Sequence, residues 1–166
     1  SLWNSIRGLF IKSPGKRRLL EFRVARLAND KDGSQTNLLV RALSNHPELH
    51  VKAYNEALPI ENTGYRSATF LQSALLIGRQ WLAKDKADLL IWGDVNEVGT
   101  AIHLRFVTQA GDADHPGRFL ISDRLAIPTN FGSEFSKLLY AVAVAAIMPR
   151  TETQQLLIKP LLLPAL

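Results

Sequence analysis

From Leu19 to Leu27 the run LLEFRVARL alternates, with Leu20, Phe22 and Val24 set against Glu21, Arg23 and Ala25. That period predicts a β-strand, broken by Asn29-Asp30-Lys31-Asp32-Gly33. A helix is expected next: Ser34 or Asp32 supplies the cap, Leu38, Leu39, Ala42 and Leu43 share one helical face, and Asn45-His46-Pro47 ends it. A short strand follows over Leu49–Ala53, then a polar, turn-rich stretch over 55–66. Phe70, Leu71, Ala74, Leu75, Ile77, Gly78, Trp81 and Leu82 then predict a longer helix.

Asp88–Val95 contains the unbroken apolar run Leu89-Leu90-Ile91-Trp92, which reads as a strand buried on both faces at the sheet centre. Asn96–Gly99 predicts a hairpin turn, with Gly99 free to take a positive φ. The strand after it alternates Ile102, Leu104 and Phe106 with His103, Arg105 and Val107, one face buried and the other mostly wet. Beyond a polar loop over Gly111–Gly117, Phe119–Ile127 is expected to form a further strand. Ser133 then caps a last helix through Phe135, Leu138, Leu139, Val142 and Ile147, ending at Pro149. The predicted order is β-α-β-α-β-β-β-α. Helical crossovers imply parallel pairing among the early strands and hairpins imply antiparallel pairing among the late ones. The expected fold is therefore α/β with some α+β character, a mixed sheet of about five strands with helices packed on it.

Composition bounds the class. The chain has 166 residues, 46% hydrophobic and 21% charged, which suits one globular domain. No run of about 18 apolar residues is present to cross a bilayer. The absence of cysteine excludes thiol catalysis and thiolate-bound zinc but fits either an oxidising or a reducing compartment. The net charge of +5 is unevenly spread. Residues 1–26 carry seven Lys and Arg against Glu21 alone, whereas the remaining 140 residues hold 13 basic and 14 acidic side chains. A near-neutral body lacks the field that phosphate binding needs, so nucleic acid is not an expected partner.

The basic segment divides the chain. Leu2, Trp3, Ile6, Leu9 and Phe10 fall on one helical stripe, with Arg7 and Lys12 off it and Lys16-Arg17-Arg18 beyond Ser13-Pro14-Gly15. Residues 1–18 thus read as a basic amphipathic leader, either a membrane-surface or juxtamembrane segment or a helix packed on its own domain. The domain follows over 19–148, and 149–166 reads as a linker or the start of a further helical region. The first residue is not Met and the chain stops in the apolar tract Leu161–Leu166, so both ends read as cut from a longer protein. A membrane-associated location is favoured, on a side that the sequence does not specify.

Most tempting sites fail on spacing. An EF-hand with Gly33 at its sixth position would put Ala28 first and Leu39 twelfth, neither of which offers a side-chain oxygen. His46 and His50 are separated by Pro47. His103 stands on a wet strand face, and His115 neighbours Asp112 and Asp114 only in a polar loop. There is no Gly-x-Ser-x-Gly elbow and no Gly-rich phosphate loop, and Gly93 is a lone strand glycine. Asp94 and Glu97 read as turn carboxylates, too solvated for their pKa values to separate. The Asn29–Gly33 loop does lie where open α/β sheets place ligands, at the carboxyl end of a strand, although its two carboxylates would repel phosphate. A strand-to-helix turn with Asp as cap is the plainer reading.

The segment Ala87-Asp88-Leu89-Leu90-Ile91-Trp92-Gly93-Asp94-Val95, with Ile102-His103-Leu104-Arg105-Phe106 after a short turn, resembles the TolB N-terminal-like domain. The resemblance extends from about Phe22 to Ile147 by the order of elements. Such domains occur in TolB, in FlgO-like outer-membrane proteins and ahead of tetratricopeptide arrays in bacterial regulatory proteins. The resemblance implies a non-catalytic α/β module for assembly or signalling; the failed motifs separately leave no cofactor or metal expected. No β-propeller repeats follow in this sequence, unlike TolB.

The resulting expectation is a protein-interaction or scaffolding domain of a larger, membrane-tethered bacterial protein. Asn29, Asp30, Asp32, Gly33 and Asp94 are the candidate partner or ligand residues, and Leu2, Trp3, Ile6, Phe10, Lys16, Arg17 and Arg18 the candidate docking residues on a membrane surface. A protein partner is expected, and self-association into a homo-oligomer stays open. The alternative is a small-ligand sensor using the crevice between the Asn29–Gly33 loop and the end of the Leu89–Val95 strand. An enzyme using Asp30 or Asp32 lacks a visible base partner.

Overall fold

A computed structural model describes residues 19–58, 68–109 and 124–147. Eight elements follow in the expected order: β1 (Leu20–Val24), α1 (Ser34–Ser44), β2 (Leu49–Ala53), α2 (Ala68–Asp85), β3 (Leu89–Val95), β4 (Ala101–Thr108), β5 (Leu125–Pro128) and α3 (Ser133–Ile147). The strands form one mixed sheet in the order β2-β1-β3-β4-β5. β1 pairs parallel with both β2 and β3, through Phe22↔Val51 and Phe22↔Leu89, while β3-β4 and β4-β5 are antiparallel. Crossover helices and hairpins set these directions as the connection lengths require.

Two apolar layers hold the sheet. On one face Phe22, Val24, Leu89, Ile91, Ile102 and Leu104 pack beneath Leu39 and Leu43 of α1 and Leu139 and Ala143 of α3. On the other, Ala25, Leu90, Trp92 and Val107 pack beneath Ala74, Leu75 and Leu82 of α2. Gly78 lets α2 settle closely, since a Cβ there would sit 3.1 Å from Leu90 Cδ2. β3 is the central strand, with Leu89–Ile91 fully buried. This matches the reading of its unbroken apolar run.

Covering both faces corrects the alternation read for β1 and β4. Arg23 is 5% and Arg105 8% exposed, and Val107 is buried, because α2 lies over the face that alternation assigned to water. Phe106, read as core, is only partly buried. β5 spans Leu125–Pro128, so Arg124 lies outside the strand and Ile127 does not end it. The rest of the expected Phe119–Ile127 strand, the Gly111–Gly117 loop with Asp112, Asp114 and His115, and Pro149 lie outside the described residues.

The connections define two poles. At the carboxyl ends of β1, β2 and β3 lie the β1–α1 loop, the Asn96–Gly99 turn and the starts of α1 and α3. At the opposite, amino pole, the chain enters β1 at Leu19 and both crossover helices end. α3 also descends toward this pole: it starts beside α1, where Asn130 bonds Gln35, and about two turns on Tyr140 donates to Glu48 at the start of β2.

Candidate functional site

The β1–α1 loop is built around Asp30. Its carboxylate accepts hydrogen bonds from the Gln35 N–H (3.2 Å), the Thr36 N–H (2.8 Å) and the Thr36 hydroxyl (2.7 Å), and Thr36 Oγ1 in turn accepts from the Leu27 N–H (3.1 Å). The first N–H groups of a helix have no intrahelical partner and attract anions. Here an internal carboxylate, on a residue 5% exposed, takes that place. Of the two expected caps, only Asp32 reaches the helix start, one position earlier. The N-cap position is Gly33, at φ 74°, with no side chain to bond, and Ser34 already belongs to the helix. Asp32 is exposed and accepts from the Ser34 N–H at 3.0 Å, and that bond is the main reason its carboxyl lies below the ordinary aspartate value.

Next to the loop, the end of β1 is stitched to the end of β3. The Ala28 N–H donates to Gly93 O (3.0 Å) and the Val95 N–H to Ala28 O (2.9 Å), which makes a parallel bridge between Ala28 and Asp94. Asn29, at φ 63°, adds a bond from its side-chain amide to Val95 O at 3.3 Å. Opposite, Gln35 and Asn130 bond reciprocally, Nε2 to Oδ1 at 2.9 Å and backbone N–H to Oε1 at 2.9 Å. The clasp ties the start of α1 to the β5–α3 connection.

The five candidate residues are thus neighbours in the backbone, but their side chains diverge. Asp30 turns to α1 on one face of the sheet. Asp94 lies on the α2 face, beside the position of Trp92, and meets His103 Nδ1 across the strand pair at 3.4 Å. Both side chains are mostly buried, at 15% and 21% exposure, so Asp94 is not a solvated turn carboxylate and His103 is not on an open wet face. Arg105 stands 6.0 Å from the Trp92 ring centroid, and Trp92 Nε1 is buried with no hydrogen-bond partner among the described residues. Among the described residues no three His, Asp or Glu side chains converge where a metal ion would sit. The leader residues Leu2, Trp3, Ile6, Phe10, Lys16, Arg17 and Arg18 lie outside the described residues.

A second polar cluster, which sequence reasoning missed, spans β1, β2 and the end of α2. Arg23 Nη1 donates to Glu21 Oε2 at 2.9 Å and its Nε lies 3.4 Å from Asp85 Oδ2, while Tyr54 donates to the same Asp85 oxygen at 2.5 Å. His50 Nδ1 lies 2.7 Å from Glu21 Oε2. Burial raises the Glu21 carboxyl, but the Arg23 and His50 contacts outweigh it and hold the pKa below the ordinary value. Asp85 is lowered mainly by the Tyr54 hydroxyl, and burial together with Asp85 pushes Tyr54 up to about 12. The parallel register, which puts His50 beside Glu21, was the missing signal. Each acid in the cluster already has a donor, so the array ties three elements together and leaves no poised base.

The chain matches no family model, no curated protein and no solved structure.

Proposed function

We propose that this chain is a non-catalytic protein-interaction or scaffolding module of a larger, membrane-tethered bacterial protein, akin to the TolB N-terminal-like group. One observation carries this reading. In open α/β sheets ligands bind outside the carboxyl ends of the strands, where the strand order reverses. Here it reverses between β1 and β3, with α1, which leaves β1, on one face of the sheet and α2, which leads into β3, on the other. The crevice there is filled by the chain itself, through the Ala28–Asp94 bridge and the Asp30 carboxylate on α1. The segments that carry the resemblance form β3 and β4, and that group's use in assembly adds support by analogy. The exposed loop with Asp32 and the turn with Val98, 78% exposed, form the surface offered to a partner.

The small-ligand sensor is the second reading, favoured by the buried Trp92 Nε1 near the carboxyl end of β3, which has no hydrogen-bond partner among the described residues. Two measurements on the full-length parent separate them: recovery of a protein partner by wild type and by an Asp32→Ala/Val98→Ser variant, and native mass spectrometry for a retained small molecule. The module reading expects a partner that the variant loses and no retained molecule. A molecule released by Trp92→Phe, with no protein partner recovered, would put the sensor in its place.

A further inference from the structure

The two edge strands of the sheet, β2 and β5, present different backbones to the outside. Hydrogen bonds from the Leu20 N–H to Glu48 O (2.9 Å) and from the Tyr54 N–H to Val24 O (2.8 Å) fix which groups of β2 face β1. By alternation the backbone groups of His50 and Lys52 also face β1, and those of Leu49, Val51 and Ala53 face outward. The Leu49 N–H is taken by His46 O at 3.0 Å. The Val51 and Ala53 N–H groups and the Leu49 and Val51 carbonyls have no partner among the described residues, and Ala53 is exposed. On β5 the Thr129 N–H bonds Thr100 O, so Leu125 and Ile127 turn toward β4 and only Ala126 and Pro128 turn outward. Pro128 has no N–H, and a proline is a common way to blunt an edge. β2, Leu49–Ala53, contains none.

An apolar strip runs beside the open edge. α1 packs over β2 and β1, and α3 over β3 and β4. Gln35 marks the flank of α1 that faces α3, since it bonds Asn130. Val40 lies about 140° round the helix from Gln35, on the flank toward the β2 edge. Val40 and Val51 both pack against the core yet are only partly buried.

We propose that the β2 edge joins a second copy of this chain, β2 against β2 antiparallel, in a two-fold dimer that doubles the five-stranded sheet. Val51 sits at the axis. Its N–H donates to the second copy's Val51 carbonyl and the Ala53 N–H to the second copy's Leu49 carbonyl, each bond made twice by symmetry. Both outward donors are used, and the Leu49 N–H, already engaged, is not needed. A register centred on Lys52 would make as many bonds but set Lys52 directly against Lys52, which like charges disfavour. In the Val51 register Lys52 faces His50 instead. The same axis brings Val40 and Val51 of the two copies together, so the strip covers itself. An edge complementary to itself in donors, acceptors and apolar surface selects a second copy as its occupant.

The test uses the whole 166-residue chain in sedimentation equilibrium from ~1 μM to ~1 mM, where a short seam of this kind is expected to turn monomer into dimer. Ala53→Pro and Val51→Pro each delete an outward N–H and no bond to β1. Each removes two bonds across the axis and is expected to weaken the dimer about thirtyfold. Ala53 is exposed, so its variant decides if Val51→Pro fails to fold. Since the chain has no cysteine, Val51→Cys places one thiol per copy at a Cα separation of about 5.5 Å across the axis, within disulfide reach. Oxidation is expected to trap the Val51→Cys dimer far faster than any dimer of Ala126→Cys on the β5 edge. A chain that stays monomeric throughout, an Ala53→Pro variant that dimerises like wild type, or a disulfide formed as readily at 126 as at 51 would each overturn the proposal. The first result would leave the β2 edge to a strand of another protein. None of these outcomes bears on whether the Asp32 loop and the Val98 turn recruit a partner.

Discussion

Asp30 does at residue scale what a bound anion does at many helix starts. It satisfies two backbone N–H groups and one hydroxyl from a buried position, so its removal leaves donors unpaired where water has little access. Asp30→Ala is expected to destabilise the domain by about 3 kcal/mol, the loss of a cap plus charge-assisted hydrogen bonds. Asp32→Ala, on an exposed side chain with one bond to the Ser34 N–H, is expected to change the denaturation midpoint far less. Comparable midpoints for the two variants would overturn the assignment of Asp30 as cap. Gly93 is a second residue with a specific physical demand. A Cβ there would lie 1.8 Å from His103 O on the paired strand, a contact with backbone that no rotamer relieves. Gly93→Ala is expected to cost more than about 4 kcal/mol, in the range reserved for severe core lesions. Gly99→Ala, at φ 71° with open space around its Cβ, is expected to cost about 1–2 kcal/mol for the left-handed backbone alone, and urea melts of the pair check the contrast.

At the scale of elements, the Glu21–Arg23–Asp85 cluster fastens the end of α2 to β1 and β2. Glu21 and Asp85 both have folded pKa values below their ordinary 4.5 and 3.8, so their contribution is complete above those values and fades as pH falls through the lower, folded ones. Glu21→Gln is therefore expected to lower the melting temperature at neutral pH and to approach wild type in acid, below the folded value. A gap independent of pH would show that packing, not charge, is lost. Tyr54 runs the other way: raised from 10.0 to about 12, its contribution is whole below 10 and disappears as pH rises through the folded value. Much of this architecture was legible in the chain because period and connection length state it directly. The Leu89–Trp92 run announced the central strand, and the helix between β1 and β2 implied their parallel pairing. Less visible was the layer on the far face. Alternation in β1 and β4 resembles that of a half-wet strand, and only with α2 in place does Arg23 become a buried cation with carboxylate partners. The cap was only half legible for a related reason: Asp32 takes the Ser34 N–H as expected, but residue type alone does not show that Asp30 takes the Gln35 and Thr36 N–H groups.

For the whole molecule, topology and self-satisfaction meet at one place. α1 and α2 leave β1 and β2 on opposite faces, so the carboxyl ends of β1 and β3 border the crevice where this architecture takes ligands. The N–H groups of Gln35 and Thr36 point there, and Asp30 already holds them. A chain so arranged is expected to ignore an added anion until the carboxylate is removed. Inorganic phosphate, compared with chloride at equal ionic strength, is expected to raise the stability of wild type and of Asp32→Ala by the same small amount, the general effect of an excluded salt. In Asp30→Ser, which keeps a small polar side chain but frees the helix start, phosphate at about five times its dissociation constant is expected to add about 1 kcal/mol beyond that. The excess is read as the difference between the melting shifts of the variants, so the general salt effect cancels. A wild-type chain that gained as much as Asp30→Ser would have an open cradle after all, and the crevice between β1 and β3 would then be a binding site whose natural ligand carries a phosphate or carboxylate.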